Sequence, residues 1–148
     1  MPTLYNGSVQ EKRALNAYIC LYRAADTITE RVTKNIQASG ITTSQFALLE
    51  CLYHHGSMNP SHLAKKTLKS CGNMTFIIDK LEKKGWLKRE AIPNERRSHM
   101  VTLKQKGKDI VEEWLPTYVN NIKNNMALLS LQEQNSLREL CRKIGLGS

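Results

Sequence analysis

Thirty consecutive residues near the start of the chain, Val9–Ala38, contain neither proline nor glycine, and this stretch constrains the fold most. It predicts one helix on the order of 40 Å long, because an α-helix rises about 1.5 Å per residue. Its apolar residues recur at helical spacing. They are Leu15, Tyr18, Ile19, Leu21, Tyr22, Ala25, Ile28, Val32 and Ile36. We expect so broad a face to be hard to bury within a small domain.

The composition excludes several classes of protein. With 148 residues, 41% of them hydrophobic, the chain is long enough for one domain with a core. It has no apolar run near the ~20 residues of a membrane span and no signal-peptide core, so we expect a cytoplasmic protein with no membrane partner. Four scattered cysteines suit reduced thiols better than disulfides. They are Cys20, Cys51, Cys71 and Cys141.

Helix start signals divide the next part of the chain into three helices. Thr42 and Gln45 have the spacing of a capping box and begin the second helix. Asn59-Pro60, with asparagine as N-cap and proline at the first helical position, begins a short third helix. Ser70 is the expected N-cap of a fourth helix that continues to Lys84.

Two strands and two more helices follow. Residues 86–89 and 99–103 are predicted strands, and the segment between them is a predicted hairpin loop with a Pro-Asn turn. A fifth helix is expected to start near Gly107 and to reach about residue 129, with Pro116 kinking or restarting it. The last helix is predicted over residues 131–145.

All of the net positive charge lies in residues 60–108. This segment holds thirteen Lys and Arg against four Asp and Glu, a balance of +9 that equals the formal charge of the whole chain. The flanking segments are therefore neutral. A basic segment between neutral flanks predicts a surface for a polyanion, with nucleic acid ahead of an anionic membrane.

The order of short helix, short helix and β-hairpin predicts a winged helix-turn-helix, with the turn at residues 67–69. In such a unit the second helix enters the major groove of double-stranded DNA and the hairpin reaches the minor groove or backbone. The core stripe of that second helix comprises Met74, Ile77, Ile78 and Leu81. The outward residues expected to contact DNA are Ser70, Gly72, Asn73, Thr75, Phe76 and Lys80. Asn73 suits adenine, and Thr75 and Phe76 suit a thymine methyl. An ordinary amphipathic helix with a solvated face is the alternative.

Charged residues around this helix have separate expected roles. Arg96 and Arg97, at the hairpin tip, suit the negative potential of a narrow minor groove, although a solvated tip is the alternative. Lysines such as Lys65 and Lys69 are expected to contact phosphates. Asp79 would be repelled by phosphate, so we expect it to pair with a neighbouring basic group.

Four segments of the chain resemble the MarR family of bacterial transcriptional regulators. They are SCGNMT at 70–75, DKLEKKGWLKR at 79–89, PNERR at 93–97 and VTLKQKG at 101–107. The resemblance implies a homodimer that binds a palindromic operator. It implies that residues 1–38 and 109–148 form dimerisation helices and that residues 39–108 form the DNA-binding lobe.

The resemblance also assigns roles within the wing. Arg97 is the implied wing-tip arginine, with Glu95 as the carboxylate that orients it. The family pattern has an acidic residue where this chain has Ile92. That departure removes one acidic partner from the wing.

A small, often phenolic, anion releases DNA in many family members. By resemblance, its site lies between the dimer helices and the DNA-binding lobe, and the candidate lining residues are Tyr18, Tyr22, Arg23 and His62. The alternative places the tyrosines in a dimer core and Arg23 on the surface.

Cysteine oxidation is a second input implied by the resemblance. Cys20 lies between two tyrosines, as in the peroxide-sensing branch, but its register differs from that of the reactive cysteine, so a buried structural role is favoured. Cys71 is expected near a helix N-terminus among lysines, where its pKa would be lowered.

No motif in the chain indicates an enzyme. A Gly-rich phosphate loop, a nucleophile elbow and a catalytic carboxylate pair are all missing, and the four histidines do not form a metal motif, so we expect no metal and no cofactor. We expect a sequence-specific repressor that binds its operator as a homodimer and is released by a phenolic ligand. The alternatives are a thiol-based redox regulator and an effector-free architectural or protein-binding winged helix.

Overall fold

The structure, a computed structural model, describes residues 4–67 and 71–146, except for the side chains of Cys71, Arg96, Arg97 and Leu146. The helices are α1 (Val9–Ala38), α2 (Thr43–His55), α3 (Pro60–Thr67), α4 (Cys71–Lys83), α5 (Gln105–Met126) and α6 (Leu131–Cys141), which continues as a π-helical turn over Arg142–Leu146. Strands β1 (Leu87–Ile92) and β2 (Glu95–Leu103) form an antiparallel hairpin. The predicted fold class, mainly α with a small hairpin wing, is confirmed. Most of the predicted turn at 67–69 lies outside the described residues.

The chain divides into two compact units, Met1–Lys34 with Val119–Ser148, and Asn35–Tyr118. In the first unit, part of the apolar face of α1 is exposed, and α6 has no buried residue. The exposed apolar side chains there include Val9, Tyr18, Leu21, Tyr22, Leu128, Leu131, Leu137, Leu140 and Ile144. Exposed apolar surface of this extent is typical of an interaction site.

The core of the second unit lies where α2, α3 and α4 pack with the hairpin. Its buried residues are Leu48, Leu49, Leu52, Met58, Leu63, Ala64, Met74, Ile77, Ile78, Leu81, Leu87, Val101 and Val111. A smaller cluster comprises Ile36, Ile41 and Phe46, and the Phe46 ring meets the Tyr118 ring edge-on with centroids 5.1 Å apart. Because the larger cluster contains buried residues of both α4 and the hairpin, it fixes these two elements to each other.

The predicted starts of α2 and α3 are confirmed by their hydrogen bonds. The Gln45 N–H donates to Thr42 Oγ1 and the Thr42 N–H donates to Gln45 Oε1, both at 3.1 Å, which completes the capping box. The His62 N–H donates to Asn59 Oδ1 at 2.7 Å, and Pro60 occupies the first helical position. These bonds satisfy N–H groups that have no partner within the helix.

The strands are longer than the sequence pattern predicts. β1 and β2 pair in register as far as Ala91 opposite His99, and pairing resumes at Ile92 opposite Glu95 after an irregularity. Most of the predicted loop is therefore strand, and the turn is confined to residues 93–94. Asn94 has a φ of 69°, a left-handed conformation that asparagine tolerates better than most residues. Pairing across the hairpin outweighed the weak local strand propensity of this segment.

Helix α5 passes through Pro116 without a break. Of the two predicted alternatives, the restart is therefore wrong and the kink stays a prediction. Proline removes one backbone hydrogen bond from a helix. The helix continues because Trp114 and Tyr118, on either side, pack against the smaller core cluster. After α5, a second capping box begins α6, in which the Glu133 N–H donates to Ser130 Oγ at 3.1 Å and the Ser130 N–H donates to Glu133 Oε2 at 2.8 Å.

The first turn of α5 approaches the base of the hairpin at Gly107, near the predicted helix start. A Cβ atom at this position would collide with the Trp86 carbonyl oxygen and would lie 2.6 Å from Leu103 Cδ1. The same carbonyl accepts a hydrogen bond from the Lys104 N–H at 2.9 Å. Only glycine leaves room for this approach.

Candidate nucleic-acid interface

Helix α4 has two faces of opposite character. Its core residues, Met74, Ile77, Ile78 and Leu81, are at most 6% exposed. Its exposed residues are Gly72, Asn73, Thr75, Phe76, Asp79, Lys80 and Lys83. The predicted division between core and outward faces is confirmed. Its exposure makes the outward face accessible to a ligand. Its contact with DNA stays a prediction.

Arg89 joins the hairpin to α4. Its Nη1 donates to Glu82 Oε1 at 2.9 Å, its Nη2 donates to Asp79 Oδ1 at 2.6 Å, and its backbone N–H donates to Glu82 Oε2 at 2.9 Å. The prediction that Asp79 pairs with a basic group is confirmed. The roles of Arg89 and Glu82 were not predicted, because no local signal relates residues on a helix to a strand that follows it.

The described lysines of the basic segment lie in different settings. Lys65 is exposed in the last turn of α3 and has the access that a phosphate contact needs. Lys84 Nζ lies 4.4 Å from the centre of the Trp86 ring, and Lys88 forms an ion pair with Glu90. The Glu90 carboxylate offsets the charge of Lys88, which weakens Lys88 as a phosphate contact.

Several predicted DNA contacts fall outside what the structure describes. Lys69 and Ser70 lie outside the described residues, and so do the side chains of Arg96 and Arg97, whose backbone belongs to β2. Glu95 is exposed at the start of β2. Its pairing with Arg97 therefore stays a prediction.

The candidate effector residues are distributed between the two units. In the first unit, the rings of Tyr18 and Tyr22 are neighbours on α1, with centroids 6.3 Å apart, and each side chain is 63% exposed. Arg23 is exposed beside them. In the second unit, His62 is exposed on α3. Their role in ligand binding stays a prediction.

The cysteines differ in exposure. Cys20 is exposed on α1, so the expectation of a buried residue is not met in the single chain, because this part of α1 packs against little of its own unit. Burial raises the pKa of the Cys51 thiol, which Lys66 partly offsets. The side chain of Cys71 lies outside the described residues. Within the described part of the chain, no group of His, Cys, Asp and Glu is placed to hold a metal ion.

A cleft of about 390 Å³ between α2 and α3 was not predicted. Its charged or titratable lining residues are Glu50, Cys51, His54, His55 and Lys66. Burial raises the pKa of Glu50 above its ordinary value, and His54, whose Nε2 lies 3.7 Å from Glu50 Oε1, acts in the opposite direction.

No helix in the described part of the chain has the length and apolar character to cross a membrane.

Comparisons with known proteins agree with this geometry. Residues 41–99 match the model of the MarR family. The chain is 31% identical to the HTH-type transcriptional regulator MhqR of Bacillus subtilis, over 93% of this chain and 94% of the relative. It is also 31% identical to the transcriptional repressor MprA of Escherichia coli, over 85% of this chain and 72% of the relative.

A comparison with a solved structure also indicates this family. The fold is similar to that of Bordetella bronchiseptica BpsR, whose DNA binding is regulated by 6-hydroxynicotinic acid, with a TM-score of 0.80 and 25% identity over 87% of this chain and 98% of that one. The fold, the matched segment and the full-length relatives agree: the chain belongs to the MarR family of winged helix-turn-helix, DNA-binding transcriptional regulators.

Proposed function

We propose that this protein is a transcriptional repressor that binds a palindromic operator as a homodimer. The observation that carries the proposal is the two-faced character of α4, whose core stripe is buried while Asn73, Thr75 and Phe76 are exposed. A helix of this kind reads base edges when it lies in the major groove. The name of the relative MprA, a transcriptional repressor, supports the assignment of repression.

Lysines supply the affinity in this proposal. The described segments around α4 expose Lys65, Lys80, Lys83, Lys104 and Lys106. Lys69, Arg96 and Arg97 bring the candidate phosphate contacts of each protomer to eight. About six contacts per protomer would contribute roughly −5 to the slope of log K against log salt, and a homodimer would show about twice that slope. We expect these contacts to position the protein and α4 to supply the sequence preference.

The apolar surface of the first unit supports the homodimer. Two copies of this chain can bury it against each other through residues 1–38 and 109–148. A two-fold dimer then presents two copies of the lobe at 39–108, with their α4 helices about one DNA turn, ~34 Å, apart. An operator with two inverted half-sites follows from that symmetry.

A small aromatic anion is the proposed effector. The regulation of BpsR by 6-hydroxynicotinic acid, a hydroxylated aromatic acid, supports this class. In this chain, the exposed pair Tyr18 and Tyr22 with Arg23 offers two aromatic rings and a cation.

A gel shift with the promoter of the protein's own gene tests the proposal. We expect binding in the nanomolar range that survives competitor DNA. Binding that is only weak and indifferent to sequence would instead favour a protein-binding or architectural role.

Arg97→Ala should weaken operator binding by ~1–3 kcal/mol while the dimer stays intact. Arg97→Lys is the matched control, because it keeps the charge but loses the planar guanidinium.

A thiol-based switch is the second candidate, favoured by the exposure of Cys20. Treatment with peroxide before the gel shift tests it, with Cys20→Ser and Cys71→Ser as the variants. If neither substitution alters the response to peroxide, sensing at these two cysteines is excluded.

A further inference from the structure

Phe76 is a large apolar residue on the face of α4 that packing does not need. Its side chain is 58% exposed, whereas its neighbours Met74, Ile77 and Ile78 are at most 6% exposed. Exposing an aromatic ring to water forfeits the free energy that burial would provide. The ring therefore has the property of a contact residue that is covered only when a ligand binds.

A second side chain restricts the position of the Phe76 ring. Lys80, one turn later on the same face, places its Nζ 4.5 Å from the ring centre. A cation over an aromatic ring is attracted by the negative face of that ring. The pair thus offers an apolar ring beside a positive charge, and more than half of the Phe76 side chain stays accessible.

Gly72 completes this stripe one turn before Phe76. A Cβ atom added at Gly72 would meet no atom of the described residues within 4 Å. Residues four apart lie above one another on a helix. Gly72, Phe76 and Lys80 therefore lie in a row along one face of α4. The first position has no side chain, the second carries an apolar ring and the third carries a positive charge.

Only one base carries an apolar group on its edge in the major groove. That group is the C5-methyl of thymine, and the other major-groove features of the four bases are hydrogen-bond donors and acceptors. An exposed ring on a helix in this groove gains most by covering that methyl. The neighbouring Lys80 would stay close to the phosphates or to guanine acceptors.

We propose that Phe76 selects thymine in each operator half-site by packing against its C5-methyl group. This inference rests on the proposed function, because it requires α4 to lie in the major groove of a specific duplex. Beyond the proposed function, the inference names thymine as the base that Phe76 recognises and the C5-methyl as the group that it contacts.

The experiment begins with duplexes selected from a random pool by the full-length wild-type protein. Each thymine of one half-site is then replaced in turn by deoxyuridine, which removes only the methyl group. We expect one replacement to weaken wild-type binding by about fourfold, the effect of burying one methyl group. The same replacement should leave the affinity of Phe76→Ala unchanged.

Two further variants make the result specific to Phe76. Phe76→Leu keeps an apolar side chain and should retain part of the sensitivity to deoxyuridine. Thr75→Ser removes one methyl from the neighbouring exposed residue and should leave the sensitivity intact. Circular dichroism checks that every variant is folded, which the exposure of both side chains favours.

Three outcomes would overturn the inference. They are a wild-type affinity insensitive to deoxyuridine at every position, a sensitivity that persists in Phe76→Ala, and a sensitivity that is lost in Thr75→Ser. In all three, specific binding by the wild type would leave the proposed function standing. If the wild type selects no consensus sequence, the proposed function and the inference fail together.

Discussion

Replacement of Arg89 by methionine tests how firmly the hairpin is attached to α4. The Arg89 side chain is 23% exposed, but those of Asp79 and Glu82 are 52% and 40% exposed, so solvent screens both ion pairs. Buried, each charge-assisted bond would contribute about 1.5–3 kcal/mol. With screening, we assign about 0.5–1 kcal/mol to each and expect Arg89→Met to lower the free energy of unfolding by about 1–2 kcal/mol.

Glu82→Ala should lower the free energy of unfolding by about as much as Arg89→Met. It removes only one of the two ion pairs of Arg89, but it also removes the acceptor of the Arg89 backbone N–H, a bond that survives in Arg89→Met. A hydrogen bond of this kind contributes about 1 kcal/mol. We therefore expect both variants to be destabilised more than Asp79→Ala, which loses a single ion pair.

Urea denaturation at low salt and a fixed protomer concentration measures these changes, since guanidinium would screen the pairs and a dimer's stability depends on its concentration. A double-mutant cycle between Arg89→Met and Glu82→Gln should give a coupling energy of about 0.5–1 kcal/mol. Lys88→Met with Glu90→Gln is the matched control, because both of those side chains are about half exposed and should couple by less than about 0.3 kcal/mol. Equal coupling energies in the two cycles would refute the inference that the less exposed Arg89–Glu82 pair is stronger than the half-exposed Lys88–Glu90 pair.

Three other substitutions test separate features. Burial raises the pKa of Glu50 above 4.5, so its contribution to stability is present below that pH and is lost as the pH rises through the higher folded-state value. Glu50→Gln should therefore be more stable than the wild type at pH 7 in urea titrations, and equal stability there would contradict the effect of burial. Gly107→Ala should lower the free energy of unfolding by about 1–3 kcal/mol because the backbone at Trp86 must move. An unchanged denaturation midpoint would mean that the base of the hairpin can move to accommodate the methyl group without loss of stability. Leu140→Asp, at an exposed apolar position on α6, should shift the proposed dimer towards monomer in sedimentation equilibrium. A dimer that persists in this variant would place the interface elsewhere.

Local signals in the sequence were sufficient to predict most of the helices. Thr42 and Asn59 mark helix starts because they satisfy backbone groups within a few residues. The predicted end of the fourth helix at Lys84 precedes Gly85, whose φ of 75° suits glycine. The core stripe of α4 was predicted because helical periodicity maps directly onto one face. The capping box of Ser130 and Glu133 carries the same kind of signal and was overlooked.

Features that depend on distant residues could not be predicted in the same way. The bonds from Arg89 to Asp79 and Glu82 exist only because the hairpin folds back on α4. The strands extend into a segment of weak strand propensity because each strand supplies the other with hydrogen-bond partners. The continuity of α5 through Pro116 likewise depends on packing against the smaller core cluster, which no local pattern reveals.

The close approach at Gly107 has a consequence for genetics. Gly107 is buried, yet any side chain there would push the first turn of α5 away from the root of the wing. If the protein represses transcription as proposed, a selection for cells that lose repression should return substitutions at position 107 as well as in α4 and the wing tip. The two classes should separate by protein abundance, because unstable variants are degraded while variants that lack only a DNA contact accumulate normally.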